Sequence, residues 1–413
     1  MQTPLEHNIP EPDANMKATE ALSHPVYRIL WIAAWFWYTC RMMELVTLSW
    51  LVLELTNSPS QVAFVGASRM LPMFLLGLIA GSLADRLPKR RVMIGIQLAN
   101  VTMCVGILIL ILSKTIQPWH VFVAVFLTGC TYTMDFSTRR SYLSEIIGPR
   151  GLVTAISLDT VALTGSAMLG PLLAGPLISM ISFGGVYGII VIMYGIGLGL
   201  LLYNSVDVKT HPLALSNSIG AQVIDAVKAI RSNRVIFATL MVTITLNFFG
   251  FPYLQMVPVI ARDILGVGSV LYGILVSIAG LGALMGSILI ASRKIHRRGT
   301  VYSLGAMFML TAVFLFAMSP VYGISLLVLF FAGLGMSGFA TMQSSIILQA
   351  ASLDMRGRAL GAVAIGIGAS PLGMLLVGQL AEWIGPQTAV GVLAGTGFIV
   401  MVGLRWKFIE LRN

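Results

Sequence analysis

Charge is what this chain has least of. Only 10% of its 413 residues are Asp, Glu, Lys or Arg, where a soluble domain carries roughly 25%. That shortage excludes a water-facing globular surface over most of the molecule. Acidic residues are the scarcer sign, 16 against 26 basic. Cysteine is scarce too. Cys40, Cys104 and Cys130 all fall in apolar runs, which argues against a disulfide framework or a metal site and leaves them as small buried hydrophobes. The five histidines, His7, His24, His120, His211 and His296, lie in loops, at span edges or in the tail, and none pairs at ligand spacing. No P-loop, nucleophile triad or dinucleotide fingerprint is present. No enzyme, cofactor or metal is expected, and ATP is not expected to drive whatever the chain does.

What is abundant is apolar side chain, 57% of the total. A transmembrane helix needs about 20 mostly apolar residues. Twelve stretches qualify: 27–52, 61–83, 92–112, 119–143, 152–178, 184–203, 235–260, 269–291, 300–318, 321–348, 359–380 and 386–406. Runs such as Val105–Leu112 and Ile189–Tyr203 do not alternate, as the strands of a membrane β-barrel would. The expected fold is all-α and integral to the membrane. Residues 1–25 are polar and mildly acidic (Glu6, Glu11, Asp13, Glu20) and lack the layout of a signal peptide. They read as a cytoplasmic tail.

Basic residues orient the spans. With the N-terminus inside, the inner segments hold all but four of the 26. Lys114 and Arg262 lie outside, and Arg41 and Arg69 lie within spans. This places both termini in the cytoplasm and explains the net charge of +10 without nucleic acid.

The longest inner connection, 204–234, separates six spans from six. In it Ile219, Val223, Ala226, Val227 and Ile230 recur at helical spacing, an amphipathic helix expected along the inner membrane face and tethering the halves. The halves are related. Gly77 and Gly81 align with Gly282 and Gly286, Arg86 with Arg293, Gly129 with Gly335, and Arg150-Gly151 with Arg356-Gly357. All four offsets lie within one residue of 206. Twelve helices therefore divide into two six-helix bundles, 26–203 and 235–406, related by a pseudo-twofold axis along the membrane normal, with a tail at 407–413. Such parallel repeats are a transporter architecture with a substrate path between the halves.

The run Gly81-Ser-Leu-Ala-Asp85-Arg86-Leu-Pro88-Lys89-Arg90-Arg91 resembles the signature between helices 2 and 3 of the major facilitator superfamily, with Pro88 where the family has glycine. Trp50 to Pro59, Leu71-Pro72 and Arg356-Gly357-Arg358 are similar to the branch that holds enterobactin exporters and macrolide efflux proteins. Gly170-Pro171 and its neighbours in the fifth span look like a degenerate form of the glycine-proline motif of drug/proton antiporters, which would make Gly170 and Pro171 part of the gating, or are tight packing alone. The resemblance implies a gate formed by Asp85, Arg86, Lys89, Arg90 and Gly357 on the inner side. Asp85 facing the positive end of the eleventh helix would latch that side shut. The exposed basic run Lys89–Arg91 is alternatively only a topology signal.

An ionisable group costs at least about 2.5 kcal/mol near the bilayer centre. Five stand out: Arg41 and Glu44 on the first span, Arg69 on the second, Asp135 on the fourth and Asp159 on the fifth. Glu44 and Arg69 share a level on neighbouring helices, so an ion pair is expected. In one reading Asp135 or Glu44 carries the coupled proton, because burial and a nearby arginine pull a carboxyl in opposite directions. In the other, Glu44 with Arg69, and Asp135 with Arg41 or Arg139, are static braces. Asp159 is expected to pair with Arg139 or Arg140. The second half offers uncharged counterparts, Asn247 opposite Arg41 in the repeat, and Gln343. With Tyr38, Arg41 and Arg69 these are expected to line the cavity. The aromatics Trp35, Phe36, Trp37 and Tyr38 stack a ring-bearing substrate or pack against neighbours.

The leading expectation is a monomeric, proton-coupled exporter of small amphiphilic compounds, drug-like or siderophore-like, in the cell membrane. Its partners are protons, the substrate and the lipid bilayer. The main alternative is a lipid or lysolipid flippase on the same scaffold. A non-transporting receptor or scaffold is a distant third.

Overall fold

The computed structural model describes residues 18–203, 233–293, 295–350, 363 and 366–412. The expected amphipathic linker helix, Arg356-Gly357-Arg358 and the N-terminal tail up to residue 17 lie outside them, as do the side chains of Asp85 and Arg86.

A short helix, Ala18–Ser23, precedes α1 (Pro25–Thr56) and α2 (Pro59–Arg86). Pro25 sits in the first turn of α1 and Pro59 in that of α2, where a missing N–H costs nothing. Asn57, in the left-handed region at φ 50°, ends α1. The Ser58 hydroxyl caps α2 by accepting from the Gln61 amide. Then follow α3 (Lys89–Leu112) and α4 (Pro118–Gly148). The next helical stretch, Arg150–Tyr203, is two helices. Gly148 at φ 74° and Ser182 at φ 60° break the chain, leaving α5 at 150–181 and α6 at 183–203. Both breaks fall where the apolar runs pause.

In the second half, α7 (Arg234–Ile264) carries two π-helical turns, Leu246–Gly250 and Ile260–Ile264. Pro252 and Pro258 within it cannot donate to the regular ladder. After it come α8 (Ser269–Ala291), α9 (Arg298–Ala317), α10 (Tyr322–Ala350), α11 (Ser370–Ile384) and α12 (Pro386–Lys407). Among the described residues there is no strand. Among the described residues, eight helical stretches are long and apolar enough to cross a bilayer by length and composition. Large side chains such as Met180, Ile192, Ile399 and Trp406 are left bare, as lipid-facing surfaces require.

Glycine sets the closest approach of the two halves, along α5 and α8. A Cβ at Gly175 would lie 2.5 Å from the Ser269 carbonyl oxygen, and one at Gly273 would lie 2.5 Å from that of Pro171. Only backbone fits there, as at other small-residue membrane contacts. Gly170-Pro171 therefore belongs to a packing seam, with Gly170 against Met42 and Met43 of α1. Replacing Gly175 with Val should lower the melting temperature in detergent by several degrees. Gly188→Ala, where a Cβ meets nothing within 4 Å, should leave it within about one degree.

Candidate transport site

The buried charges of the first half form two layers. In the layer nearer the α1–α2 loop, Glu44, Arg41 and Arg69 are all buried. The expected Glu44–Arg69 ion pair is not made. Arg69 instead donates from Nη2 to the Arg41 carbonyl at 2.7 Å. Its Nη1 is buried without a partner. Arg41 donates to the Thr128 carbonyl at 3.3 Å, and its guanidinium lies 3.6 Å from the centre of the Tyr132 ring, a desolvated cation–π contact. Glu44 accepts from the Cys104 thiol at 2.9 Å. It forms no ion pair among the described residues. The carboxylate therefore points into the bundle toward α3, not toward its neighbour on α2.

In the other layer, Asp135 takes both arms of the Arg139 fork, at 2.9 and 3.0 Å, one helical turn along α4. The bidentate geometry fixes both groups. Asp159 does not join them as expected. It accepts from the Tyr38 hydroxyl at 3.0 Å, while Arg140 lies 3.8 Å from the centre of the Phe136 ring. Arg139 points Nε and Nη2 at Asp135 and leaves Nη1 buried without a partner, while the donor that reaches Asp159 is the Tyr38 phenol. Trp37 stacks on Tyr132 at 5.9 Å between centroids and is buried with Tyr38. The first-span aromatics are therefore packed inside the half, and Trp35 closes on Gly165 of α5.

The second half answers with neutral hydrogen bonds. Gln343 donates to the Thr243 hydroxyl at 2.7 Å, and Tyr302 donates to the Thr239 carbonyl at 2.9 Å. Asn247, inside the π turn, donates back to the Thr243 carbonyl at 2.9 Å.

Of the expected gating residues, Lys89 corrects the sequence reading. It is not exposed but buried, paired with Glu145 of α4 at 2.8 Å. Arg90 donates to the Leu202 carbonyl of α6 at 3.0 Å. Both tie the inner ends of the first half together. The Asp85, Arg86 and Gly357 contacts fall outside the described residues.

Sequence reasoning missed the join between halves. Among the described residues, every hydrogen bond between them lies at one end, the end called outer after the charge census. Arg262, from the end of α7, donates to the Leu53 carbonyl at 3.0 Å and to Asn57 Oδ1 at 2.9 Å. Glu382, at the end of α11, accepts from the Ser58 hydroxyl, from the Ser60 hydroxyl at 2.9 Å and from the Ser60 amide at 3.2 Å. Trp50 stacks on Tyr272 beneath them, at 5.1 Å between centroids. Arg262 was visible as one of two outer cations. Nothing in the sequence said that it crosses to the other half.

The model of the transmembrane secretion effector family matches residues 17–412. An uncharacterized MFS-type transporter of Bacillus subtilis, YfiS, is 22% identical over 370 residues, 87% of each chain. A staphyloferrin A transporter of Staphylococcus aureus is 24% identical over 248 residues, 59% of this chain and 62% of that one. Among solved structures, a peptide transporter POT mutant with sulfate superposes with a TM-score of 0.76 at 11% identity, covering 96% of this chain and 98% of that one. A mutant of the nucleoside transporter NupG gives 0.73 at 14%, covering 93% and 100%. At these identities the structures speak for the fold.

Two outcomes follow from the geometry. Asp135→Asn leaves Arg139 buried without its counter-charge, at a cost of about 3–5 kcal/mol. Its melting temperature should fall well below that of wild type, and Asp135→Asn with Arg139→Gln should recover part of the loss. At the outer join, the Ser58 hydroxyl, with Ser60, holds the Glu382 carboxyl below its ordinary value. A depressed value means the join is favoured above the ordinary carboxylate range and weakens as pH falls through the depressed one. Spin labels on Leu55→Cys and Trp383→Cys should therefore separate at acid pH. Glu382→Gln should show the wider distance at neutral pH and lose the pH response.

Proposed function

We propose that this chain, which belongs to the transmembrane secretion effector family of the major facilitator superfamily, is a secondary active transporter that exports small amphiphilic organic compounds in exchange for protons. The observation that carries the coupling is Glu44. It is a buried carboxylate that accepts from neutral donors, the Cys104 thiol and the Tyr194 hydroxyl, with no guanidinium locked onto it. Such a group can gain and lose a proton without dismantling an ion pair. Asp135, with both oxygens held by Arg139, is a brace by the same reasoning. The weight between the two carboxylates thus moves to Glu44, with Arg41 and Arg69 supplying the positive field that its proton and the substrate both answer to.

The outer join fits a state in which substrate loads from the cytoplasmic side. Export then requires the Arg262 and Glu382 contacts to break while the inner ends close. The inner gate expected at Asp85, Arg86 and Gly357, together with Lys89 and Arg90, is the counterpart. A cell-membrane location with both termini in the cytoplasm follows from the charge census. The relative that bears the name of staphyloferrin A keeps siderophore-like cargo beside drug-like cargo as the substrate class.

Proteoliposomes carrying a pH gradient test this with fluorescent amphiphiles such as ethidium and Hoechst 33342. Wild type should show substrate-dependent proton movement. Glu44→Gln should lose it by at least about tenfold while still binding dye. Proton movement unchanged in Glu44→Gln would remove the coupling role.

A further inference from the structure

The duplication has built one surface feature twice. In the first half, a groove of about 520 Å³ opens between α3 and α4, lined by Gly95, Leu98, Ala99, Leu127 and Cys130. In the second half, a groove of about 600 Å³ opens where α9 and α10 meet α8, lined by Val301, Leu304, Gly305, Phe308 and Ser337. The 206-residue offset carries Gly95 onto Val301, Leu98 onto Leu304 and Ala99 onto Gly305. Leu98 is 54% exposed and Leu304 47%, on faces that meet acyl chains and not water. The furrow has a local cause. A Cβ at Gly305 would lie 2.9 Å from the Gly335 carbonyl oxygen, so α9 and α10 cross on backbone and leave no side chain to fill the surface above.

One helical turn beyond each groove, on the cytoplasmic side of the charge census, stands an exposed arginine, Arg91 or Arg297. These two are also 206 residues apart. Each stands four residues before Gly95 or Val301, one turn from the groove. Arg91 lies in the first turn of α3, and Arg297 caps α9. A helix start adds its own positive potential to the guanidinium. The neighbours of Arg91 are committed inside the protein, Lys89 to Glu145 and Arg90 to the Leu202 carbonyl. Arg91 faces outward. Arg293, exposed at the end of α8, adds a second cation beside the groove of the second half.

An apolar furrow at acyl-chain depth that ends under a cation at headgroup depth is complementary to one kind of molecule in its surroundings. We propose that each half binds one anionic phospholipid of the inner leaflet, its phosphate against Arg91 or Arg297 and an acyl chain in the groove. The proposal rests on the membrane orientation and not on the coupling assigned to Glu44. One basic residue near the membrane surface favours an anionic lipid by about fivefold.

Cys130 supplies the probe. It lines the first groove and is half-exposed, while Cys40 and Cys104 are buried. A fluorophore on Cys130 in reconstituted wild-type protein reads out quenching by brominated phosphatidylglycerol against brominated phosphatidylcholine. Half-quenching should need about one fifth the mole fraction of phosphatidylglycerol. Arg91→Gln should bring the two lipids to parity, and Arg91→Lys should keep the preference. The second groove is read from a label on Leu304→Cys in a Cys130→Ala chain, where Arg297→Gln should act and Arg91→Gln should not. Equal quenching by both lipids in the unsubstituted chain, or a preference that survives Arg91→Gln, would overturn the proposal and leave ordinary boundary lipid.

Discussion

Burying charge inside a helical bundle is the constraint on which the rest of this structure depends. A guanidinium or carboxylate far from water needs a partner, and its choice of partner fixes helices relative to one another. In the first half the choices are specific. Asp135 and Arg139 satisfy each other on one helix. Arg41 and Arg69 settle for a backbone carbonyl apiece, and Arg41 for the face of Tyr132. That division leaves Glu44 with neutral donors, the Cys104 thiol and the Tyr194 hydroxyl, which sets it apart from the braced carboxylate one layer away. The uneven sharing of buried cations locks one acid into an ion pair and leaves the other without one.

The second half obeys the same packing rules with no buried charge among its described residues. Thr239, Thr243, Tyr302 and Gln343 form a neutral chain of hydrogen bonds, and Asn247 occupies a π turn where the helix is already irregular. Duplication preserved the scaffold, the glycine seams and the surface furrows. Polar chemistry diverged between the copies, and the site inherits that asymmetry. The halves then meet on glycine backbone along α5 and α8, and among the described residues they share hydrogen bonds only at the outer end. Seam and join lie on the same side of the bundle, so both must part when one bundle rocks against the other.

Much of the fold was legible because its signals are long. An apolar run such as 269–291 matches α8 residue for residue, and the breaks at Gly148 and Ser182 fall where the runs lapse. The buried ionisable residues were legible as a set, since few residues belong less in a bilayer. Their partners were not. Level along the membrane suggested Glu44 with Arg69, but level does not fix which way a side chain turns about its helix axis. Glu44 turns toward Cys104, a residue that composition counted among the hydrophobes. Lys89 read as a free surface cation, because nothing local to it reveals Glu145 at the far end of the next helix. The outer join was equally hidden. Ser58 and Glu382 lie more than three hundred residues apart, and hydrogen bonds at such separation leave no periodicity to read.

The central claim is that Glu44, and not Asp135, exchanges the coupled proton. Infrared difference spectroscopy of the reconstituted protein tests it most directly, because a protonated carboxyl has its own carbonyl band. A band that titrates across the pH range of transport, responds to added amphiphile and disappears in Glu44→Gln is the predicted result. A titrating band that persists in Glu44→Gln and vanishes in Asp135→Asn would contradict the account.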